Sequence, residues 1–468
     1  MPVSCRGAMI VALVCVSTAL AAAPSLGGGG QASRGADARF TMALTGDSII
    51  TRRLSVYEEP PFLQLVDLIR RADVAFTNLE MLFHDYESWP MQESGGTWMR
   101  AEPALVKELV WAGFDMVSRA NNHTGDYGVD AMRRTTQYVD EAGLVQAGVG
   151  ESLTEAREAT FLETTNGRVA LVSVASTFPD HSRAGRTRGD IPPRPGLNPL
   201  RFTTTYVVTR DQFEAVRGTL EALGQRAPTG GDTLRVFGER FVLGEKPDVV
   251  TEPLTEDLEA IAAVVRSASR LADYVLVTIH AHEGDGDRFL PARFLVTFAR
   301  AMIDAGADVF VGHGPHVVRG IEMYKGRPIL YSLGDFIFQN ETLLRLPSEN
   351  YEAYDLDADA QVADFNDARY DFDKRGFPAQ REIWESVVAV PAWDRDRLVA
   401  LELYPITLGF GQPPAVRGRP MLAEGSLAQK ILDDLVRLSA PFGTTVRIEN
   451  GIGQVVLAEP TESREAAR

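Results

Sequence analysis

The sequence predicts an α/β fold: layered mixed β-sheets flanked by helices. Three observations point there. Seven short runs are almost wholly apolar, as strands buried on both faces are. Amphipathic helical patterns lie between several of them, the layering of an α/β protein. Polar residues gather where the runs end.

The runs are FTMAL (40–44), DVAFT (73–77), FDMVS (114–118), VALVSVA (169–175), YVLVTI (274–279), DVFV (308–311) and PILYSL (328–333). They are rich in Val, Ile and Phe and lack polar alternation. Helical patterns occupy Leu63–Ala72, Pro103–Ala112, Val129–Ala142 and Phe294–Ala305. Residues 178–250, rich in Arg, Pro and Gly, read as an insertion over one end of the sheet. Residues 341–458 read as a C-terminal completion. It opens with an acidic, aromatic stretch read as a long loop or short helices (residues 340–380) and continues with antiparallel strands around a helix at Ala428–Leu438. Residues 459–468 read as a disordered tail.

The first 23 residues read as a secretory signal peptide rather than an uncleaved anchor. Arg6 precedes an apolar run from Ala8 to Leu20, which is short for a membrane span, and Ala19-Leu20-Ala21 follows the small-x-small cleavage pattern. A flexible Gly/Ser-rich linker follows, residues 24–38. The expected destination is periplasmic or extracellular. Both cysteines, Cys5 and Cys15, lie in the leader. The exported chain therefore has no disulfide, no thiolate chemistry and no Cys-ligated zinc.

The chain has 468 residues, 45% hydrophobic and 24% charged, with a formal net charge of −17. Such acidity argues against nucleic acid and anionic membrane surfaces, which need a basic patch. No Gly-x-Ser-x-Gly elbow suggests a serine hydrolase, and no Gly-x-Gly-x-x-Gly follows the first strand.

The strand exits carry the chemistry. FTMAL leads into Thr45-Gly46-Asp47, DVAFT into Asn78-Leu79-Glu80, and FDMVS into Arg119-Ala120-Asn121-Asn122-His123. YVLVTI leads into His280-Ala281-His282-Glu283, and DVFV into Gly312-His313-Gly314-Pro315-His316. Five of the seven histidines fall in these exits; His84 and His181 lie elsewhere. Ligands of open α/β sheets bind at the carboxyl ends of strands. Imidazole with carboxylate oxygen suits Mn, Fe or Zn, and two such ions can clamp an in-line displacement. Glycines before Asp47 and His313 are expected to allow sharp turns, with Pro315 aiming His313 and His316 at one centre. Singly, these features read as turns, helix caps or surface residues; their conjunction points to metal.

Those motifs resemble the CapA family of bacterial poly-gamma-glutamate capsule biosynthesis proteins. The resemblance rests on Gly46-Asp47, Asn78-Leu79-Glu80, Asn121-Asn122-His123 with Asp126 and Gly128, His313-x-Pro-His316 and Tyr331-Ser-Leu-Gly-Asp335-Phe. It covers residues 39–340. It implies a calcineurin-like metallophosphoesterase fold, an α-β-β-α sandwich. It also implies two divalent metal ions held by Asp47, Glu80, Asn122, His280, His313 and His316, with His123 as the proton donor to the leaving group. The sequence departs from the family pattern at Gly314, at Asp335 where Asn is usual, and at His282. His282, Arg119 and Arg194 are candidate substrate contacts, with Arg201 a further anion clamp.

The expected activity is metal-dependent hydrolysis of phosphoester type. The expected partner is an anionic small molecule or polymer such as poly-gamma-glutamate, with association to a membrane capsule-synthesis complex. Two alternatives stand beside it: non-hydrolytic binding, export or anchoring of the polymer, and hydrolysis of amide bonds.

Overall fold

The computed structural model describes residues 39–225 and 231–458. The expected signal peptide, linker and C-terminal tail lie outside the described residues. Two mixed sheets pack face to face with helices on both outer sides, the α-β-β-α order expected.

The first sheet has ten strands. Its centre is Phe40–Ile49, paired in parallel with Val74–Leu79, which continues to Met116–Ser118 and Val145–Ala147. The other edge of Phe40–Ile49 is shared. Glu385–Asp394 runs antiparallel along its first half, and Asp335–Phe338 runs parallel beside its last three residues. The second sheet has six strands, with Gly167–Ala175, Tyr274–His280, Val309–His313 and Arg327–Leu330 in parallel at its centre.

Alternate side chains of each strand enter different cores, which is why the sequence lacks polar alternation. Met42, Leu44, Val74 and Phe76 meet Leu171, Leu276, Val309 and Val311 between the sheets. Ala43, Ala75 and Val117 face outward onto Leu65, Ile69 and Leu109 of the helices Pro60–Arg71 and Val106–Ala112. Val172, Val275 and Val277 face Ile261, Val265 and Phe298 of Thr255–Ala268 and Arg293–Ala305. Each large side chain so buried contributes about 1.5–3 kcal/mol.

The region after residue 340 is structural, not an appendage. Glu385–Asp394 and Arg397–Thr407 form a long hairpin beside the central strand, and helix Gly425–Ser439 packs Ile431, Leu432 and Leu435 into the inter-sheet core. The acidic stretch expected as a long loop or short helices includes the short helices Ser348–Glu352 and Val362–Tyr370. Buried Arg417 anchors it, donating to Glu341 and, at 2.7 Å, to Asp373. Within the stretch expected as an insertion, Phe202–Val208, Thr233–Val236, Glu239–Leu243 and Asp248–Pro253 make a separate four-stranded sheet. No helix among the described residues is long and apolar enough to cross a membrane.

A candidate metal centre at the strand ends

Register brings the polar residues together. In the first sheet Asp47 pairs with Asn78 on one side and Asp335 on the other, and Asn78 pairs with Ser118. In the second sheet His280 pairs with His313. The Gly314 N–H donates to Asp47 Oδ2 at 2.8 Å and so links the two sheets at this point.

The glycines act differently from the turn expectation. Phe40–Ile49 continues past Gly46 as a strand, with a shift in its pairing to Val74–Leu79 between Leu44 and Asp47. A Cβ there would lie 1.7 Å from the Gly334 carbonyl oxygen, so glycine is required by close backbone approach. Gly312 likewise sits against Tyr331. The turn falls at Gly314, with φ of +114°, and at His316, with φ of +57°. A histidine in the left-handed region is strained, and such strain concentrates at functional sites.

Three overlapping groups of side chains place their ligand atoms within 4.8 Å of one another. They are Asp47 with His280 and His313; Glu80 with His280 and His282; and Asp47 and Glu80 with His316 and Asp335. His280 belongs to two of them. Its Nδ1 lies 3.0 Å from His313 Nδ1 and 3.6 Å from Asp47 Oδ1. Its Nε2 lies 2.9 Å from His282 Nε2 and 3.6 Å from Glu80 Oε1. Thr278 Oγ1 sits 2.6 Å from His313 Nε2, which turns the other ring nitrogen towards Asp47. Asn78 steadies the floor, donating to Asp47 Oδ1 at 2.7 Å and accepting from Ser118 Oγ at 2.6 Å.

His123 stands at the rim of this cluster, its Nε2 3.9 Å from Glu80 Oε1. Its Nδ1 lies 2.7 Å from Asp126 Oδ2. Asp126 also accepts from the N–H groups of Met99 and Gly95, so its carboxylate is fixed. Asn122 donates to the Gly95 carbonyl at 2.9 Å and leaves its own Oδ1 buried without a partner.

The electrostatics fit a cation. Both oxygens of Glu80, Oδ2 of Asp335 and Oδ1 of Asn122 are buried with no hydrogen-bond donor. Such orphans are costly in a native interior. Burial, with the charges of Asp47 and Asp335, raises the Glu80 pKa well above the usual carboxylate value. Burial also pushes Asp335 up to about 6, although His316 opposes it. Burial alone would raise Asp47, but hydrogen bonds and charge from His280 and His313 hold it well below the usual value. Burial pushes His280 down to about 4, which favours the neutral, ligating imidazole. Three buried carboxylates facing a group of imidazoles are a donor set for divalent Mn, Fe or Zn.

The structure thus brings together Asp47, Glu80, His280, His282, His313 and His316, with Asn122 and His123 at the edge of the cluster. It does not bring the two arginines there. Arg119 is buried, with its guanidinium on Gln146 Oε1 at 2.6 Å and near the Met132 carbonyl; burial pushes its pKa down to about 9. Arg194 is exposed and donates to the Arg183 carbonyl at 2.7 Å. Arg201 pairs with Asp257. Two residues beyond the expected ligands and substrate contacts join the site: Asp335, visible in the sequence only as a departure from the family motif, and Asn78, visible as the amide one residue inside the strand end.

The chain belongs to the bacterial capsule synthesis protein family PGA_cap, whose model matches residues 41–340. That family is metallophosphoesterase-like. The protein y4sH of Sinorhizobium fredii is 41% identical over 432 residues, 89% of this chain and 93% of its own length. Capsule biosynthesis protein CapA of Bacillus anthracis is 25% identical over 307 residues, 64% of this chain and 60% of that protein. A Mycobacterium tuberculosis relative, 27% identical over 51% of this chain and 49% of its own length, bears the name "Probable polyglutamine synthesis accessory protein". Among solved structures, Haemophilus influenzae NAD nucleotidase aligns over 85% of this chain and 56% of that one. Its TM-score of 0.28 and identity of 7% are too low to support an inference.

Proposed function

We propose that this protein is an exported, metal-dependent hydrolase acting on an anionic substrate in capsule or poly-gamma-glutamate synthesis. One observation carries the reading: carboxylate and imidazole groups from both sheets meet within 4.8 Å in overlapping sets. Asp47, Glu80, Asn122, His280, His313 and His316 are the proposed ligands of two divalent ions. His282 and Asp335 complete the cluster. When bound, such ions lower the pKa of a coordinated water towards neutrality and polarise the scissile oxygen.

The chain's own groups supply the rest. Asp126 Oδ2 accepts a hydrogen bond from His123 Nδ1–H, so that the imidazolium carries its transferable proton on Nε2, the nitrogen nearer the cluster, and returns to neutral imidazole on handing it to the leaving group. Asn78, Ser118 and Thr278 keep the ligating groups in place. The names of the Bacillus and Mycobacterium relatives support placing the substrate in polymer synthesis. Export rests on the leader sequence.

Purified protein with added manganese should cleave a generic phosphodiester or phosphomonoester, and His123→Ala should lose most of that turnover. Absence of any metal-dependent turnover above the His123→Ala control contradicts the reading. The word "accessory" in the Mycobacterium name favours a second reading, polymer binding or anchoring without hydrolysis. Retention of poly-gamma-glutamate by a His313→Ala, His316→Ala double variant would favour that reading over metal chemistry.

A further inference from the structure

A cavity of about 320 Å³ opens onto the cluster, with Asn122, His123, His282 and His316 in its wall. That is the size of a small-ligand site. Arg288 and Arg369 line the same cavity. They come from distant parts of the chain: Arg288 from the loop after Tyr274–His280, Arg369 from helix Val362–Tyr370.

Neither arginine has a carboxylate within ion-pair distance among the described residues, in a chain whose net charge is −17. Arg288 bonds Gln380 through Nη1, while its Nη2 is buried with no partner. Its backbone carbonyl accepts from the buried Arg319 guanidinium at 2.8 Å, which fixes the loop that carries it. Arg369 is held by Thr97 and by the ring faces of Tyr370 and Phe377, 5.1 and 5.8 Å from their centroids. The hydrogen-bond and ring partners that position both guanidinium groups are uncharged, and the carboxylates whose charge reaches Arg288, those of Glu382, Asp335 and Asp287, make no ion pair with it. A planar fork of donors left unpaired in a cleft is built for an oxyanion.

We propose that Arg288 and Arg369 form a second-anion subsite, so that the substrate carries a carboxylate or phosphate in addition to the group placed at the metal cluster. The assignment of the cluster as the reacting end rests on the function proposed above. The subsite selects substrates with two separated negative groups, as along a polyanion, over esters with a single one.

Equilibrium binding tests it without turnover. Calorimetric titrations of the full chain, both manganese-loaded and chelator-treated, would use gamma-glutamyl-glutamate, the same dipeptide with its carboxyl groups amidated, and inorganic phosphate. The acidic dipeptide should bind, and the amidated one should bind at least tenfold more weakly. Arg288→Gln and Arg369→Gln should each weaken the acidic dipeptide about tenfold, the loss of one charge-assisted hydrogen bond. Arg288→Lys, which retains charge and bulk, should recover part of the affinity. A ligand site for phosphate alone would appear as arginine-dependent phosphate binding with no dipeptide binding, and would identify the oxyanion as phosphate. Equal affinity of wild type and both glutamine variants for every probe, or no binding of any probe, overturns the subsite. Loss of turnover with these affinities intact would instead count against the hydrolase reading.

Discussion

Asp335 Oδ1 lies 2.8 Å from His316 Nδ1, while the other oxygen of Asp335 is buried and unpartnered. The pair joins strand Asp335–Phe338 of the first sheet to the strained turn leaving the second. Burial lowers the His316 pKa, but the charge and hydrogen bond of Asp335 outweigh it and raise it. A carboxylate in this position orients an imidazole for metal and adds charge to the cluster.

Asp335→Asn keeps the shape and removes the charge. Manganese affinity should fall about 10–100-fold, the range for losing a group that supports a metal ligand. Titration calorimetry against wild type checks this.

His123→Ala should leave bound metal nearly unchanged and lower kcat by about 10²–10⁴-fold, the contribution of a positioned proton donor. Steady-state kinetics with elemental analysis of the same preparation separates the two effects. Loss of metal together with activity would place His123 among the ligands instead.

Gly46→Ala puts a methyl group 1.7 Å from the Gly334 carbonyl oxygen at the junction of the two strands that carry Asp47 and Asp335. The backbones must part, at a cost of about 3 kcal/mol. Urea denaturation should show a lower midpoint with an unchanged slope.

Asp257 is fully buried and receives hydrogen bonds from Arg201, at 2.7 Å, and from Arg157. Burial alone would raise its pKa, but these arginines outweigh it and hold it below the usual carboxylate value. A native pKa below the unfolded one gives stability that is full above about pH 4 and fades as pH falls through the lowered native value. Asp257→Asn should therefore cost about 3 kcal/mol at neutral pH. It should also flatten the decline of stability below about pH 4. Denaturation series at pH 7 and pH 3 measure both.

Much of this was legible in the sequence because buried parallel strands advertise themselves as unbroken apolar runs. Where such a run ends in Asp, Asn or His, the side chain must emerge at the sheet's carboxyl edge. Asp47, His280 and His313 were readable on that ground. Asp335 was harder, because its strand Asp335–Phe338 is short and pairs only with the end of Phe40–Ile49. Arg119, expected as a substrate contact, lies on the other side of the strand end. Ser118 reaches Asn78 in the cluster, so its neighbour faces away by strand alternation, and the guanidinium ends up on Gln146. Arg288 and Arg369 had no local signal at all. Arg288 stands 92 residues from Gln380 and Arg369 stands 272 residues from Thr97, the side chains that they bond, and only tertiary packing brings the two arginines to one cavity. The boundary glycines misled in another way: a Gly that permits a turn and a Gly that admits a neighbouring backbone look alike until the neighbour is known.

Metal content decides most directly. Protein purified without chelator and analysed by inductively coupled plasma mass spectrometry should carry transition-metal ions approaching two per chain, or reach that level on manganese titration. An Asp47→Asn, His313→Ala double variant that keeps its circular dichroism spectrum should not. Protein that is metal-free as isolated and takes up no manganese, zinc or iron would contradict the account.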